Sequence, residues 1–444
     1  MTATTIRTLH ENHNTVRIMD YLLVLLLLCV SGNPVFLSGR HDEVVLTGAA
    51  AWLTMMMLAR KRLFATRLAL TVSGGFLAIL IAQAIMFRFF PAITVLGFCI
   101  KLFIAYSVIV LVQGFPRLFV NTMTGLALFG LIVFAADNLM AMTGVSLRAL
   151  VCRVQLADDS QRFHMLVHNF TFSNAPLPYR NAGMFWEPGA FAGYLLLALL
   201  LLAFVGDRYP QRAYRAAVAI LGIGVLTTFS TMGYALLPLA LLLHVNTKAQ
   251  TRQAAAGRAA LAYVGLCAAI LSTIGIWQLS FMGSKVGSQM SAASAEMRGS
   301  EMNRFGSIFW EWQYIKRRPV LGWGLHETTR YALHGGQSAL YANRGNGLFD
   351  FVGKFGLVGL AIFLAAAWHG LGGIARGHPL KRMLAMAVVL AILNGEMFLN
   401  LPTFLALMFL RESFDSPTSR VYLFQASDRL CSESCVMPSI GRPG

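Results

Sequence analysis

Long apolar runs separated by short polar breaks occupy most of this chain. They fall at about 18–37, 44–59, 68–90, 92–113, 118–143, 184–206, 213–229, 231–246, 259–281, 352–374, 382–397 and 398–411. A helix that crosses bilayer hydrocarbon needs about 20 residues, with a floor near 17. The pattern therefore predicts an all-α fold: a polytopic membrane helix bundle of about twelve transmembrane helices. The pairs 213–229/231–246 and 382–397/398–411 are short, and each reads either as two brief spans or as a re-entrant hairpin.

Two long polar stretches, 144–183 and about 282–351, interrupt the runs. The chain accordingly divides into an N-terminal five-helix region (1–143), a first loop (144–183) and a central transmembrane region (184–281). A large loop (282–351), a C-terminal transmembrane region (352–411) and a tail (412–444) follow. Residues 1–17 are polar and carry neither the apolar stretch nor the small-residue cleavage site of a signal peptide, so the first span is expected to be retained.

Composition narrows the class further. Hydrophobic residues make up 57% of the chain and charged residues 12%, with a mean hydropathy of +0.62. A soluble core cannot hide that much apolar surface, and disorder is excluded on the same ground. The net charge of +17 suits nucleic acid, an acidic membrane surface or an anionic substrate, so the position of the cations decides. With the N-terminus inside, Arg60, Lys61, Arg62, Arg208, Arg212, Lys381 and Arg382 fall on the inner side, whereas the short outer loops hold only Arg40 and Arg88. That asymmetry places both termini in the cytoplasm and both long loops on the far side, with a lipid bilayer rather than nucleic acid as partner. The large loop still carries eight Lys and Arg against five acidic residues. Insertion does not explain cations there, which leaves either a solvated surface or a site for an anion.

Four short segments carry candidate chemistry. In Arg180-Asn181-Ala182-Gly183-Met184-Phe185-Trp186-Glu187-Pro188-Gly189, Pro188 suits the first turn of a helix. Glu187 then sits at the positive end of the helix dipole, either as a cap or as a carboxylate held beside Arg180. Thr227 to Tyr234 forms a polar hinge, read as a tight turn or as the floor of a site. In 303–319, Phe305, Ile308, Phe309, Trp312 and Ile315 follow helical spacing, with Arg304, Glu311 and Arg318 on the opposite face. This predicts an amphipathic helix on the membrane surface, serving as a headgroup anchor or presenting a basic face to a lipid-linked anion. Pro319-Val320-Leu321-Gly322-Trp323-Gly324-Leu325-His326 then leads, past Arg344-Gly345-Asn346, into the next span. Lys101 lies near the middle of the fourth span, where a cation is costly and calls for a partner or a function. Six cysteines show no disulfide framework, and no metal-spaced cluster, P-loop or dinucleotide fingerprint occurs. Neither metal nor cofactor is expected.

These segments, in this order, resemble the O-antigen polymerase/O-antigen ligase superfamily of bacterial envelope glycosyltransferases. Gly183-Met-Phe-Trp-Glu187-Pro188-Gly189-Ala-Phe191 is similar to the Gly-x-Phe-x-Glu-Pro-x-x-Phe signature of Wzy-type polysaccharide repeat-unit polymerases. Ser230-Thr-Met-Gly233 is similar to their Ser-Thr-x-Gly element, and Pro319-Val-Leu-Gly322-Trp-Gly324 to the Pro-x-x-Gly-x-Gly that follows the large periplasmic loop helix. The resemblance implies a bacterial inner-membrane enzyme with two periplasmic loops. Its substrate would be an undecaprenyl-diphosphate-linked glycan, with a chain-length co-polymerase and a flippase as partners. Ligases of the superfamily carry a His-Asn pair before the span after the large loop; here those positions read Gly345-Asn346, and His326 or His334 would have to substitute. The resemblance thus favours a polymerase over a ligase, and a lipid-linked oligosaccharide transporter is the reading without catalysis. The implied catalytic residues are Glu187 as base and Arg180 as phosphate ligand. Arg304, Arg317, Arg318, Arg344, Asn346, His326 and Lys101 are the expected substrate-binding residues.

Overall fold

Helices occupy nearly every apolar run that the pattern marks. The computed structural model describes residues 3–36, 42–60, 62, 64–145, 147, 151, 153–155, 161–170, 179–244, 304–334, 346–375, 379–413 and 420–422. The expected span at 259–281, residue Arg344 and most of the tail lie outside the described residues. Helices α1 (Ala3–Gly32), α2 (Asp42–Ala59), α3 (Arg67–Phe87), α4 (Ala92–Leu111) and α5 (Phe115–Met142) form the N-terminal region. Helices α6 (Pro188–Val205), α7 (Gln211–Thr227) and α8 (Thr231–Leu242) follow. After the large loop's α9 (Arg304–Ile315) and α10 (Glu327–Arg330) come α11 (Gly347–Ile374), α12 (Pro379–Gly395) and the short α13 (Pro402–Leu405). Among the described residues, six helices are long and apolar enough to cross a membrane, and Ile18–Gly32 and Thr231–Leu242 are shorter apolar helices. The chain is a helical membrane protein.

Local chemistry sets the helix ends. Thr66 caps α3 by accepting from the Ala69 N–H at 3.1 Å, and Ser230 caps α8 by accepting from Gly233 at 3.4 Å. Pro188 occupies the first position of α6, where its missing N–H costs nothing. Helix α6 is apolar on every side, and almost all of it is buried, from Pro188 to Ala203. A helix without a polar face belongs inside a bundle, and α5, α7, α8 and α12 pack around it.

Two segments depart from continuous helix. Residues 398–411 do not form a continuous span. They fold as a 3₁₀ turn at Phe398–Asn400, then α13, then a 3₁₀ segment at Ala406–Ser413. The segment is buried against α11 and α4. Pro402 restarts the chain after one turn, and i→i+3 winding seldom persists. The fold is also not purely helical. Strands β2 (Arg153–Gln155), β3 (Gln161–Met165) and β4 (His168–Asn169) make an antiparallel sheet in the first loop. Strand β1 (Phe64–Thr66) pairs with β5 (Arg420–Tyr422) of the tail. Strands of two to five residues are too short to leave an alternating signature in sequence.

The bundle has two unlike ends. At one, Arg60 bonds Asp20 and the Leu111 carbonyl, Arg62 bonds the Val110 carbonyl, and Lys381 bonds the Ala203 carbonyl. These cations close the C-terminal ends of α4 and α6, where the helix dipole favours them. The other end carries the β2–β4 sheet and α9–α10. Here α11 is interrupted: Gly356 adopts φ 68° and ψ −174°, dividing it into two half-helices. The Val320 carbonyl crosses so close to Gly356 that a Cβ there would stand 2.1 Å from it, so only glycine fits.

Candidate functional site

Two segments separated by α6 and α7 meet at the loop end. The Arg180 guanidinium donates from Nε to the Thr228 carbonyl at 3.1 Å and from Nη2 to the Phe229 carbonyl at 3.2 Å. Asn181 donates from its backbone to the Thr227 carbonyl (3.0 Å) and from Nδ2 to Thr227 Oγ1 (3.0 Å). The α7–α8 turn presents those carbonyls because Phe229 takes a left-handed conformation, φ 49°. Gly183, at φ 51°, lets the chain pass Phe191, whose ring would meet a Cβ at 2.9 Å. Glu187 occupies the N-cap of α6 in extended backbone, yet its side chain makes no capping bond. The residue is half-buried at the positive end of the almost wholly buried α6. The turn and the Glu-Pro segment, read separately in the sequence, are therefore one structure.

The β3–β4 hairpin covers this segment. Asn169 donates from its backbone to the Gly183 carbonyl at 2.6 Å, and from Nδ2 to Phe185 at 2.9 Å and Trp186 at 3.2 Å. Asn33 at the end of α1 anchors the hairpin tip through the Leu166 carbonyl at 2.7 Å. His164 and His168 of the hairpin are buried, and three of their ring nitrogens have no hydrogen-bond partner among the described residues. Burial lowers His164 to about 4, with the Met184 main chain opposing. Burial, then the neighbouring His164, lowers His168 to about 3. Both rings are thus neutral when docked and protonate near 6.5 when released. Docking is fully favourable above about pH 6.5 and weakens as pH falls towards these lowered values, by up to about 1.4 kcal/mol per pH unit for each ring. Hydrogen exchange over 161–170, corrected for its intrinsic pH dependence, should show protection lost between pH 7.5 and pH 5, and His164→Asn with His168→Asn should flatten that dependence. The sequence reading missed this pair, which only the hairpin brings together.

The loop after α9 docks on the broken helix. Trp323 and Gly324 donate to the Gly353 and Lys354 carbonyls at 2.9 and 3.0 Å, and Leu357 donates back to the Pro319 carbonyl at 2.7 Å. Gln83 of α3 bridges the Leu321 and Lys354 carbonyls. Beneath lies a buried charge chain: Arg330 pairs with Glu311 and, at 3.5 Å, with Asp350, which pairs with Lys354 at 2.6 Å. Burial disfavours the charged Arg330, but Glu311 and Asp350 outweigh it and hold its proton more firmly than in free arginine. Glu311 is therefore not on a solvated face of α9. Glu311 is fully buried and Trp312 is 55% exposed, because Glu311 turns inward to Arg330 while Tyr314 and Ile315 pack alongside.

The remaining expected residues are placed as follows. Arg318 lies over the rings of Phe87 and Trp323, 4.5 and 4.7 Å from their centroids, a paired cation–π seat. His326 caps α10, accepting from the Thr328 N–H at 3.3 Å, and Asn346 caps α11, accepting from Phe349 at 3.2 Å. Arg317 is exposed. Arg304 begins α9, and its side chain is not among those described. Lys101 lines a separate cavity of about 370 Å³ with Asp42, Glu43 and Asn400. Among the described residues, no group of three or more His, Cys, Asp or Glu is arranged to hold a metal ion.

No family model and no curated protein matches this sequence. Function must therefore be argued from the site. The loop end offers a carboxylate at a helix N-terminus and a guanidinium able to fork onto a phosphate.

Proposed function

We propose that this chain polymerises undecaprenyl-diphosphate-linked oligosaccharide repeat units into O-antigen, capsular or exopolysaccharide chains. In this reading it spans the bacterial inner membrane about twelve times, with both termini cytoplasmic and the loop end periplasmic. The observation that carries the proposal is the capture of the α7–α8 turn by Arg180 and Asn181, directly before Glu187. It joins two elements of the polymerase signature at the end of the bundle opposite the Arg60, Arg62 and Lys381 cluster.

The chemistry follows from charge. The acceptor hydroxyl gives its proton to Glu187 while its oxygen forms the new bond to the anomeric carbon of the donor. The bond from that carbon to the diphosphate breaks, and its electron pair leaves on the diphosphate oxygen. Arg180 is preorganised by two carbonyls and meets that growing charge without reorganising. The donor is already activated, so the reaction needs no nucleotide.

The test is reconstitution of the purified protein in vesicles with a defined lipid-linked repeat. Longer glycans on the same lipid carrier are expected. Transfer only to a lipid A core acceptor would replace the polymerase reading with the ligase, and movement across the bilayer without new glycosidic bonds would replace it with a transporter.

A further inference from the structure

Helices α3 and α4 leave a gap between them. Helix α3 packs chiefly on α11, and α4 on α2 and the Ala406–Ser413 segment. The gap is a groove of about 410 Å³, walled on α3 by Leu70, Gly74, Leu77 and Leu80 and on α4 by Leu102 and Phe103. Gly74 makes part of the room, since a Cβ there would meet nothing within 4 Å. Leu70 and Leu77 are exposed, so the groove opens to the surrounding hydrocarbon and not to the bundle interior. From Ala69 to Leu80 it runs about 17 Å along α3. That is close to the hydrocarbon depth of one leaflet, about 15 Å.

One end of this groove is cationic. Arg67 is the first residue of α3 and is exposed. It heads the same stripe of the helix as the groove wall: Arg67, Leu70, Gly74 and Leu77 recur at steps of three and four residues. Its guanidinium makes no hydrogen bond or ion pair among the described residues. A cation at the positive end of a helix dipole is disfavoured until an anion joins it. The neighbouring arginines are already engaged, Arg60 by Asp20 and the Leu111 carbonyl and Arg62 by the Val110 carbonyl. The β1–β5 register sets Arg420 of the tail opposite Thr66, next to Arg67 in the chain. Positive charge at the head of an apolar groove matches an anionic amphiphile.

We infer that the α3–α4 groove binds an anionic diacyl phospholipid, with the phosphate on Arg67, one acyl chain in the groove and the other left in the bilayer. The site lies at the end of the bundle that carries Arg60 and Arg62, opposite Glu187, and takes no part in the reaction. Acidic phospholipids of the cytoplasmic leaflet attract cations at such an end; that leaflet assignment rests on the proposed topology, whereas the site does not. The bound lipid fills the gap between two helices that touch little, and its phosphate neutralises the charge where the tail strand returns to β1.

The test uses substitutions that spare the fold. Gly74→Leu fills the groove from an open position and raises helix propensity. Arg67→Gln removes the charge from an exposed side chain. Gly125→Leu is a control on α5 with equally open surroundings. The full chain, purified in detergent, is titrated separately with dioleoyl phosphatidylglycerol, dioleoyl phosphatidylethanolamine and undecaprenyl phosphate, and read by native mass spectrometry. The unaltered protein should hold one phosphatidylglycerol tightly. Arg67→Gln and Gly74→Leu should each weaken it by roughly tenfold or more, the scale of one hydrogen bond to a charged group. Neither should lower the melting temperature measured without lipid, and the control should bind as the unaltered protein does. Unchanged binding in both variants overturns the site. Equal binding of phosphatidylethanolamine overturns the role of charge, and tighter undecaprenyl phosphate that responds to the same substitutions overturns the phospholipid as occupant. Glycan growth is not the readout, so failure of the polymerase reading leaves this result unaffected.

Discussion

Arg180→Ala should slow chain elongation by roughly 100- to 1,000-fold, equivalent to about 2.7–4 kcal/mol of barrier, the scale of a lost preorganised donor at a developing oxyanion. The guanidinium is already held on the Thr228 and Phe229 carbonyls. Binding the diphosphate therefore costs it little further entropy, and deleting it removes the charge while the Asn181 bonds to Thr227 still tie the Glu-Pro segment to the α7–α8 turn. Arg180→Lys should not rescue, because one ammonium cannot fork between two carbonyls and a phosphate. Glu187→Gln keeps shape and hydrogen-bonding capacity but cannot take a proton. It should slow elongation by roughly 10²- to 10⁴-fold, the usual range for a positioned base. The readout is glycan length on the lipid carrier against time, at matched amounts of inserted protein. Ordinary chain growth in both variants would remove Arg180 and Glu187 from the catalytic assignment.

The parts visible in sequence are those that depend on local periodicity. Helices α3, α4 and α6 follow from uninterrupted apolar runs, and the start of α6 from Pro188. Lys101 stood out because a cation in mid-span conflicts with its surroundings. What sequence could not give is contact across distance. The segment Gly353-Lys354-Phe355-Gly356-Leu357-Val358-Gly359 holds three glycines. Only the crossing of Pro319–Leu321 over the helix selects Gly356 as the left-handed break. The burial of Glu311 has the same origin. Glu311 looks like a solvated residue until Arg330, nineteen positions later, is folded against it. His164 and His168 became a pair only through a three-strand sheet too short to leave a pattern.

The buried charge chain makes the strongest claim about stability. Arg330→Met should destabilise the loop–helix assembly by about 3–5 kcal/mol, because it removes the buried cation that Glu311 and Asp350 share. The loss should not be general. Arg330 packs on Gly353, where a Cβ would stand 2.5 Å from its Nη2, and the Gly353 carbonyl holds the Trp323 N–H. Removing the guanidinium should therefore release α9 and the 319–326 loop from α11 before the α5–α8 core yields. Limited proteolysis should cut between 304 and 334 at denaturant concentrations that leave α6 protected. The double variant Arg330→Met with Glu311→Leu tests the cause: without the stranded carboxylate, much of the loss should return, since apolar replacements of a whole buried pair are often neutral or stabilising. If the double variant is as weak as the single one, the penalty comes from lost packing around Tyr314, whose ring lies 5.2 Å from the guanidinium, and not from an uncompensated charge.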